Sequence, residues 1–459
     1  MQGKTEKRIK MTDTINIESE TAFNTNTILT LLLKYLDNNQ IIYALLESTD
    51  YNTDWEKDIK LLVSGKIFKK ISGHIYEFCE QNDLIPVQKL RYETTACFFV
   101  LSYFNNQQDR FVHIKVDVCC EYKIDGCFYL SSKELLHNRS YVIEKNYWRL
   151  NDTYSFLYYL IKSIDKKNFS QTQFSQLSKY WVAVNAGIVQ KLKRFFSEDS
   201  ITIISKCFNG KDLNYLNSNL EDLNKDLQAK VPKLIRDIIS DKLRLLSGAL
   251  KPSGLVVGIL GRDGSGKSTF VNEMVDSLAP YFREINTFKK FPALFYKGEI
   301  FKKKEAYDFS KPHYHKERGR IASFIKLNII LIEFLFGYWL KIFPVKAKSH
   351  LVLYDRYFID VLADPRRYRI KENKFFIKAF HYILPKPDIW IILDLPSDVL
   401  LQRKKELTYE MAEKLRYEYL NLHSFLPNSI VINNEEEIKN TVNKASIFIL
   451  NYMHQKIVT

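Results

Sequence analysis

Glycine and proline are scarce, 15 and 12 of 459 residues, and no segment repeats itself. With 46% apolar residues the chain can bury a sizeable core, which excludes a collagen-like, mucin-like or mostly disordered protein. Cysteine is confined to Cys79, Cys97, Cys119, Cys120, Cys127 and Cys207, with no C-x-x-C pair. That pattern argues against a zinc site or a disulfide scaffold and suits a reducing cytoplasm. Residues 1–20 are polar, and no apolar signal region follows the basic start. No run of about 18 uncharged apolar residues occurs, so no transmembrane helix is expected. In the longest apolar stretch, Ile321 to Phe343, Lys326, Glu333 and Lys341 share one helical face, which reads as a mostly buried helix with one wet edge. Acid is in deficit: 68 Lys and Arg against 53 Asp and Glu leave +15. From Pro252 onward 33 basic residues face 23 acidic ones, so +10 of the excess lies there. Such an excess suits either an anionic partner or a lysine-rich solvated surface.

Three patterns follow one another along the chain. Residues 25–195 mix short alternating runs with helical ones, as in an α+β domain. Residues 196–250 are charged and helix-patterned, with apolar residues three and four apart around Pro232, and are expected to form a helical connector. Lys251 to Gly254 then punctuates the chain, and an α/β domain is expected over 251–459. The expected fold class is therefore α/β, with a parallel sheet in the carboxyl-terminal domain.

The strongest motif is LVVGILGRDGSGKST. Leu255 to Leu260 is a short apolar run of the kind a buried parallel strand shows. Gly261, Arg262, Asp263, Gly264, Ser265, Gly266, Lys267 and Ser268 match G-x-x-x-x-G-K-[ST]; with Thr269 they are the expected ATP-binding residues, and a helical pattern follows from Phe270. Glycines let the backbone wrap a phosphate with its N–H groups inward, and the helix N-terminus adds partial positive charge. In this pattern Lys267 reaches the β- and γ-phosphates, and the Ser268 hydroxyl is a hard ligand for Mg²⁺. ATP and Mg²⁺ are the expected cofactors.

A second strand-like run, His350 to Tyr354, ends in Asp355-Arg356-Tyr357. A carboxylate at that strand end lies beside the phosphate loop, where Mg²⁺ or its waters need one. A motor ATPase usually follows this Asp with another acid, and a GTPase switch uses D-x-x-G. Here Arg356 follows, a cation placed for an acceptor's anionic group. Asp360, Asp364, Arg366, Arg367 and Arg369 then form a dense charged loop around Pro365. It reads either as a solvated turn or as a grip on an anionic substrate.

GRDGSGKST, LYDRYFID and KPDIWIILDLPSDVLLQRKKEL, in this order, resemble the thymidylate kinase branch of the nucleoside-monophosphate kinases over about residues 250–455. DRYFIDVLADPRRYR and RKKEL are similar, more narrowly, to thymidylate kinase-like proteins encoded among bacterial surface-polysaccharide genes. The resemblance implies that Asp263 faces the acceptor and that Asp355 works near Mg²⁺. It also implies that Arg356 holds the acceptor's phosphate, and that a lid begins near Arg403, with Lys404 and Lys405 as further cations. The loop lacks the Arg some members carry just after the Asp, which makes Arg403 the catalytic arginine. Lys267, Asp355, Arg356 and Arg403 are thus the expected catalytic set. Asp263, Arg356, Asp360, Arg366, Arg367 and Arg369 are the expected acceptor contacts. Leu260-Gly261 stands where thymidylate kinases usually keep Glu in an F-E-G setting. No base-reading pattern stands between the phosphate-loop helix and Asp355, which argues against thymidylate itself.

In the amino-terminal domain Asp58-Ile59-Lys60-Leu61-Leu62-Val63 is followed by FVHIKVDV, whose alternation puts His113, Lys115 and Asp117 on one face. Over residues 25–195 this resembles a nucleotidyltransferase, in which a D-x-D strand and a third Asp bind two metals. Lys60 occupies the second Asp position, and Glu47-Ser48 replaces the Gly-Ser turn. A charged Lys cannot ligate a cation, so Asp58 and Asp117, even with Glu56, imply a degenerate domain that binds or positions something. Three functions compete. One is an ATP-dependent kinase acting on a phosphorylated or hydroxylated acceptor of surface-polysaccharide synthesis. The others are a true nucleoside-monophosphate kinase and a nucleotide-binding regulatory or scaffold protein. Nucleic acid is not expected as a partner, and the oligomeric state, a dimer included, is left open.

Overall fold

The computed structural model describes residues 25–46, 59–105, 110–124, 126–184, 187–250, 252–289, 292, 317–371, 374–404 and 407–458. Glu47, Ser48, Glu56, Asp58, most of the Lys-rich stretch 289–304, and Lys405 lie outside them. The strands of the amino-terminal half are β1 (Tyr43–Leu45), β2 (Ile59–Val63), β3 (Ile85–Leu90), β4 (Ala96–Asn105), β5 (Arg110–Cys119), β6 (Tyr122–Ile124), β7 (Cys127–Leu130), β8 (Arg139–Val142) and β9 (Tyr147–Leu150). Seven of them form one mixed sheet in the order β3-β4-β5-β2-β1-β9-β8, and β6 pairs with β7 apart from it. The alternation of β5 holds: Ile114, Val116 and Val118 bury against the helices Thr25–Asn38 and Ile71–Gln81. His113, Lys115 and Asp117 stand half-buried. β2 and β5 run parallel with Lys60 opposite Asp117, and the Tyr92 hydroxyl donates to Asp117 at 2.7 Å.

The other face of this sheet carries a core that does not stop at residue 195. Ile201, Ile204, Phe208, Leu216, Leu223, Leu227 and Val231 share it with Leu62, Cys119 and the helix Asp152–Asp165. The expected connector therefore divides. Residues up to Val231 pack into the amino-terminal unit, and the helix Ile235–Leu250 leaves Ile235, Ile239, Leu243, Leu246 and Leu250 exposed. Apolar spacing of three and four marks an amphipathic helix but not the surface it docks on.

The carboxyl-terminal strands are β10 (Leu255–Leu260), β11 (Ile285–Lys289), β12 (Leu351–Asp355), β13 (Ile389–Asp394) and β14 (Ser429–Asn433). They form one parallel sheet in the order β11-β12-β10-β13-β14. Both faces are covered, which explains the unbroken apolar runs. Leu255, Val257 and Ile259 pack against the helices Lys267–Leu278 and Ile438–Val458. Val256 and Leu260 pack against Arg320–Gly337, Lys374–Ile383 and Tyr409–Phe425. Val87 of β3 and Val100 of β4 join the first of these cores, and His113 packs edge-on against Tyr281, so the two sheets are docked through side chains.

The helix that begins at Arg320 runs to Ala347, with a π-helical turn at Tyr338–Ile342 just before Pro344. It inverts the expected wet edge. Lys326 donates to the Tyr368 carbonyl at 2.6 Å and Lys341 to the Pro292 carbonyl at 2.8 Å, while Glu333 is buried. Ile325, Ile332, Phe336 and Leu340 are exposed instead. Charge spacing places residues on one face, but only the packed neighbours decide whether that face is satisfied by water or by carbonyls. By length and composition this helix is apolar enough to cross a membrane, contrary to an expectation that counted its charges as interruptions. Its Leu327, Ile330, Phe334 and Ile342 are packed on the sheet.

Candidate active site

The chain connections leave β10 and β12 toward opposite sides of the sheet, so the crevice above their carboxyl ends is a topological switch point. Gly261 to Gly266 turns there and opens the helix Lys267–Leu278. Gly266 has φ +84°, and a Cβ on it would stand 2.5 Å from the Asn434 side-chain nitrogen. No side chain fits that position. Asn434, just past β14 and 5% exposed, donates to the Ser265 carbonyl at 2.6 Å and braces the turn. A lone Asn after an apolar strand carries no sequence signal beyond its place at a strand end, and sequence reasoning missed it.

Lys267 is the first residue of the helix and is buried. Its Nζ donates to the Gly261 and Arg262 carbonyls at 2.8 and 2.6 Å. Burial first, then the charge of Arg356, push its pKa down to about 7. Ser268 and Thr269 follow on the exposed first turn. Asp355 ends β12 in register with Ile259, is buried, and its Oδ1 has no hydrogen-bond partner. A buried carboxylate oxygen without a donor is costly. It and the Ser268 hydroxyl are hard oxygen donors, a type that fits Mg²⁺ carried in with phosphate oxygens and water. Among the described residues no group of three or more His, Cys, Asp or Glu could hold a metal alone.

Arg356 is tied into a buried network of side chains. It turns the chain with φ +71° and is only 3% exposed. Its Nη2 donates to Asp263 Oδ1 at 2.6 Å, and its Nη1 to both Asp360 oxygens at 3.1 and 2.9 Å and to the Tyr419 hydroxyl at 3.2 Å. Asp360 is fully buried and also accepts from the Tyr368 and Tyr419 hydroxyls at 2.8 and 2.7 Å. Arg367 pairs with the second oxygen of Asp263. Burial alone would raise the pKa of Asp263, but Arg356, Arg367 and Lys267 hold it well below the usual carboxylate range. Asp360 is likewise lowered: burial opposes, and Arg356 and Arg367 prevail. Arg356 and Asp360 thus form, with Asp263, one buried ion-pair network beneath the crevice.

The expected arginine grip also separates. Arg366 is exposed, 3.8 Å from Glu317, while Arg367 turns inward to Asp263. Arg369 follows at φ +54°. They sit on and just after a 3₁₀ turn, Arg366–Tyr368, whose three residues per turn send successive side chains in different directions. Arg262 points away from the loop's concave side. It donates to Ser397 Oγ at 2.8 Å, to the Ala412 carbonyl at 2.9 Å and to the Leu395 carbonyl, tying the loop to the segment after β13. Arg403 closes the helix Ser397–Arg403, is exposed, and brings Nη1 to 3.9 Å from the point a Gly266 Cβ would occupy. The next residue, Lys404, has its Cβ 3.4 Å from the corresponding point on Gly264. Asp394, at the end of β13, is held bidentately by Arg416 at 2.9 and 2.7 Å.

No family model matches the chain. Among solved structures, a thymidylate kinase from Ehrlichia chaffeensis is similar over 43% of this chain and 98% of its own length, at 16% identity and a TM-score of 0.33.

Proposed function

We propose that the carboxyl-terminal unit is an ATP-dependent phosphotransferase that moves the γ-phosphoryl group of ATP to a phosphorylated or hydroxylated acceptor. One observation carries this reading: Lys267, the unpartnered Asp355 oxygen and Arg403 meet at a single glycine turn above the switch point. Backbone N–H groups of Gly261 to Ser268 cradle the phosphates, and Lys267 places a cation on the β- and γ-oxygens. Ser268 and Asp355 would hold Mg²⁺, which would supply neutralising charge to the phosphates. The acceptor oxygen attacks the γ-phosphorus, the bond to the β,γ-bridging oxygen breaks, ADP leaves, and a hydroxyl acceptor gives up its proton to solvent. Arg403 meets the charge that spreads over the equatorial oxygens. The resemblance carried by DRYFIDVLADPRRYR supports an acceptor from surface-polysaccharide synthesis over a nucleotide. Transfer of ³²P from γ-labelled ATP to nucleotides, sugars and glycan fragments tests the reading, and neither transfer nor ATP hydrolysis under any condition would overturn it.

Arg403→Ala is expected to lower kcat by ~10²- to 10³-fold with a smaller change in KM, because its contact strengthens as charge develops. Steady-state kinetics check this, and wild-type behaviour would move the lid role to another cation. Lys267 also makes ATP binding pH-dependent. With its pKa near 7 before binding, the amine is largely neutral at pH 8 and must regain a proton to face triphosphate. Calorimetry in buffers of different ionisation enthalpy is expected to show proton uptake at pH 8 and almost none at pH 6. Equal uptake at both would contradict this.

A further inference from the structure

A second cavity, of about 470 Å³, lies in the seam between the two units, bounded by β3, the helix Ile438–Val458 and the start of β10. Leu255 begins β10 and Asp388 just precedes β13, so the cavity sits at the opposite end of the parallel sheet from the glycine turn. The six residues of β10 separate the two by about 20 Å. Catalytic crevices of such sheets form at the carboxyl ends of the strands, so this cavity is not part of the phosphate site.

Val87, Pro252, Leu255, Met453 and Ile457 give it apolar walls. Four charged side chains also line it: Lys89, Lys346, Asp388 and Lys456. Lys346 pairs with Asp388 at 2.8 Å, and the second Asp388 oxygen accepts from the Val256 N–H at 2.8 Å. Lys456 donates to the Pro252 and Gly254 carbonyls at 2.9 and 3.3 Å, and Lys89 is exposed. Gln88 differs from them. It is 4% exposed, and its Nε2 has no hydrogen-bond partner. A buried amide N–H without an acceptor is costly, and a folded chain keeps few of them. The backbone turns this residue toward the seam. The β3–β4 ladder shifts register between Pro86 and Gln88. In a regular strand Val87 and Gln88 would face opposite sides, but at this irregularity both are buried and both line the cavity.

We propose that the seam cavity binds an uncharged ring with an amide-like edge, a carbonyl beside an N–H, as in pyrimidine bases and nicotinamide. A carboxamide offers a donor and an acceptor side by side, so Gln88 pairs with such an edge while the ring lies on the apolar walls. The charges at the rim are engaged with one another and with carbonyls, which disfavours a free phosphate. Gln88 belongs to the amino-terminal unit and Leu255 and Met453 to the carboxyl-terminal one. A ligand held between them favours the docked arrangement of the two units.

The chain has five methionines, so methyl-labelled methionine gives a simple NMR spectrum of the full protein. Met453 lines the cavity and Met411 lies on the helix Tyr409–Phe425. Uracil and nicotinamide are the probes, at up to ~10 mM, enough to fill a site with Kd near ~1 mM. At least one is expected to shift the Met453 signal saturably and leave Met411 in place, and inorganic phosphate is expected not to shift Met453. Gln88→Leu is expected to weaken the probe by ~10-fold and to melt no lower than the wild type, because no buried amide is left unpaired. Three results would each overturn the proposal: an unmoved Met453 signal with both probes, unchanged affinity in Gln88→Leu, or a Met453 shift by phosphate. A lower melting temperature in Gln88→Leu would show that the amide already has a partner within the protein, and would count against it equally. Failure of the phosphotransfer screen leaves this result untouched, so the two readings stand or fall separately.

Discussion

Lys267→Ala is expected to give a folded protein whose ATP turnover has fallen by ~10³-fold or more, because a preorganised cation on the transferred phosphoryl group supplies that much. Two effects oppose each other in its stability. The Gly261 and Arg262 carbonyls lose their donor, which costs about 1–3 kcal/mol for each acceptor left buried and unpaired. Against this, a buried ammonium whose pKa has already dropped to about 7 no longer has to be kept out of water. The loop also lies above the sheet rather than within its core, so little apolar packing is lost. The melting temperature should therefore move far less than the rate. Lys267→Met, which keeps the stem, should match the alanine variant in rate. Undiminished turnover in either folded variant would remove the basis of the phosphotransferase reading.

Arg356→Ala should act in the opposite manner, on stability before chemistry. Its guanidinium joins Asp263 to Asp360, and Asp360 is wholly buried. Removing the cation leaves a buried carboxylate with the more distant charges of Arg367 and Lys267 and two hydroxyl donors, at a cost of about 3–5 kcal/mol. The pH dependence identifies the cause. In the wild type the pKa values of Asp263 and Asp360 lie below their unfolded values. Their contribution is therefore fully present above the unfolded carboxylate range and is lost as pH falls through the folded values. In Arg356→Ala, the Asp360 pKa rises and the group becomes protonated more readily in the folded than in the unfolded chain. The deficit relative to wild type should therefore be largest near pH 7 and shrink toward pH 5. Arg356→Met combined with Asp360→Leu should cost less than Arg356→Ala alone, because no charge is left unpaired. Urea unfolding at three pH values checks both points. A deficit independent of pH would mean that Arg356 acts through packing.

The phosphate loop was legible because its requirements are local. Apolar residues at Leu255 to Leu260, a glycine turn and a helix start occupy consecutive positions, and backbone sterics restrict such a turn to glycine. The alternation in β5 and the place of Asp355 at a strand end were legible for the same reason. The partners of these groups were not. Arg356 meets Asp263 across 93 residues and Tyr419 across 63, and Asn434 meets Ser265 across 169. Nothing in the spacing of DRYFID distinguishes an arginine facing a ligand from one clamped between two acids. The arginines around Arg367 looked like one grip because they are close in sequence, yet Arg366 is exposed near Glu317 while its neighbour Arg367 turns inward to Asp263.

By itself the sequence determined the periodicities, and through them the strands, the helices and the glycine turn Gly261–Gly266. Each of those depends on neighbours within a few residues, where backbone geometry and side-chain spacing leave few choices. The strand order β11-β12-β10-β13-β14 decided the rest. It set Asp355 beside the loop, brought Arg403 over it, and buried Arg356 against Asp263. In the other unit, the pairing of β2 with β5 and the packing of the helix Asp152–Asp165 brought Lys60 and Lys162 together from distant parts of the chain. Whether a charge meets water, a carbonyl or an opposite charge depends on which distant segments the packed core brings together, and only the folded chain supplies that.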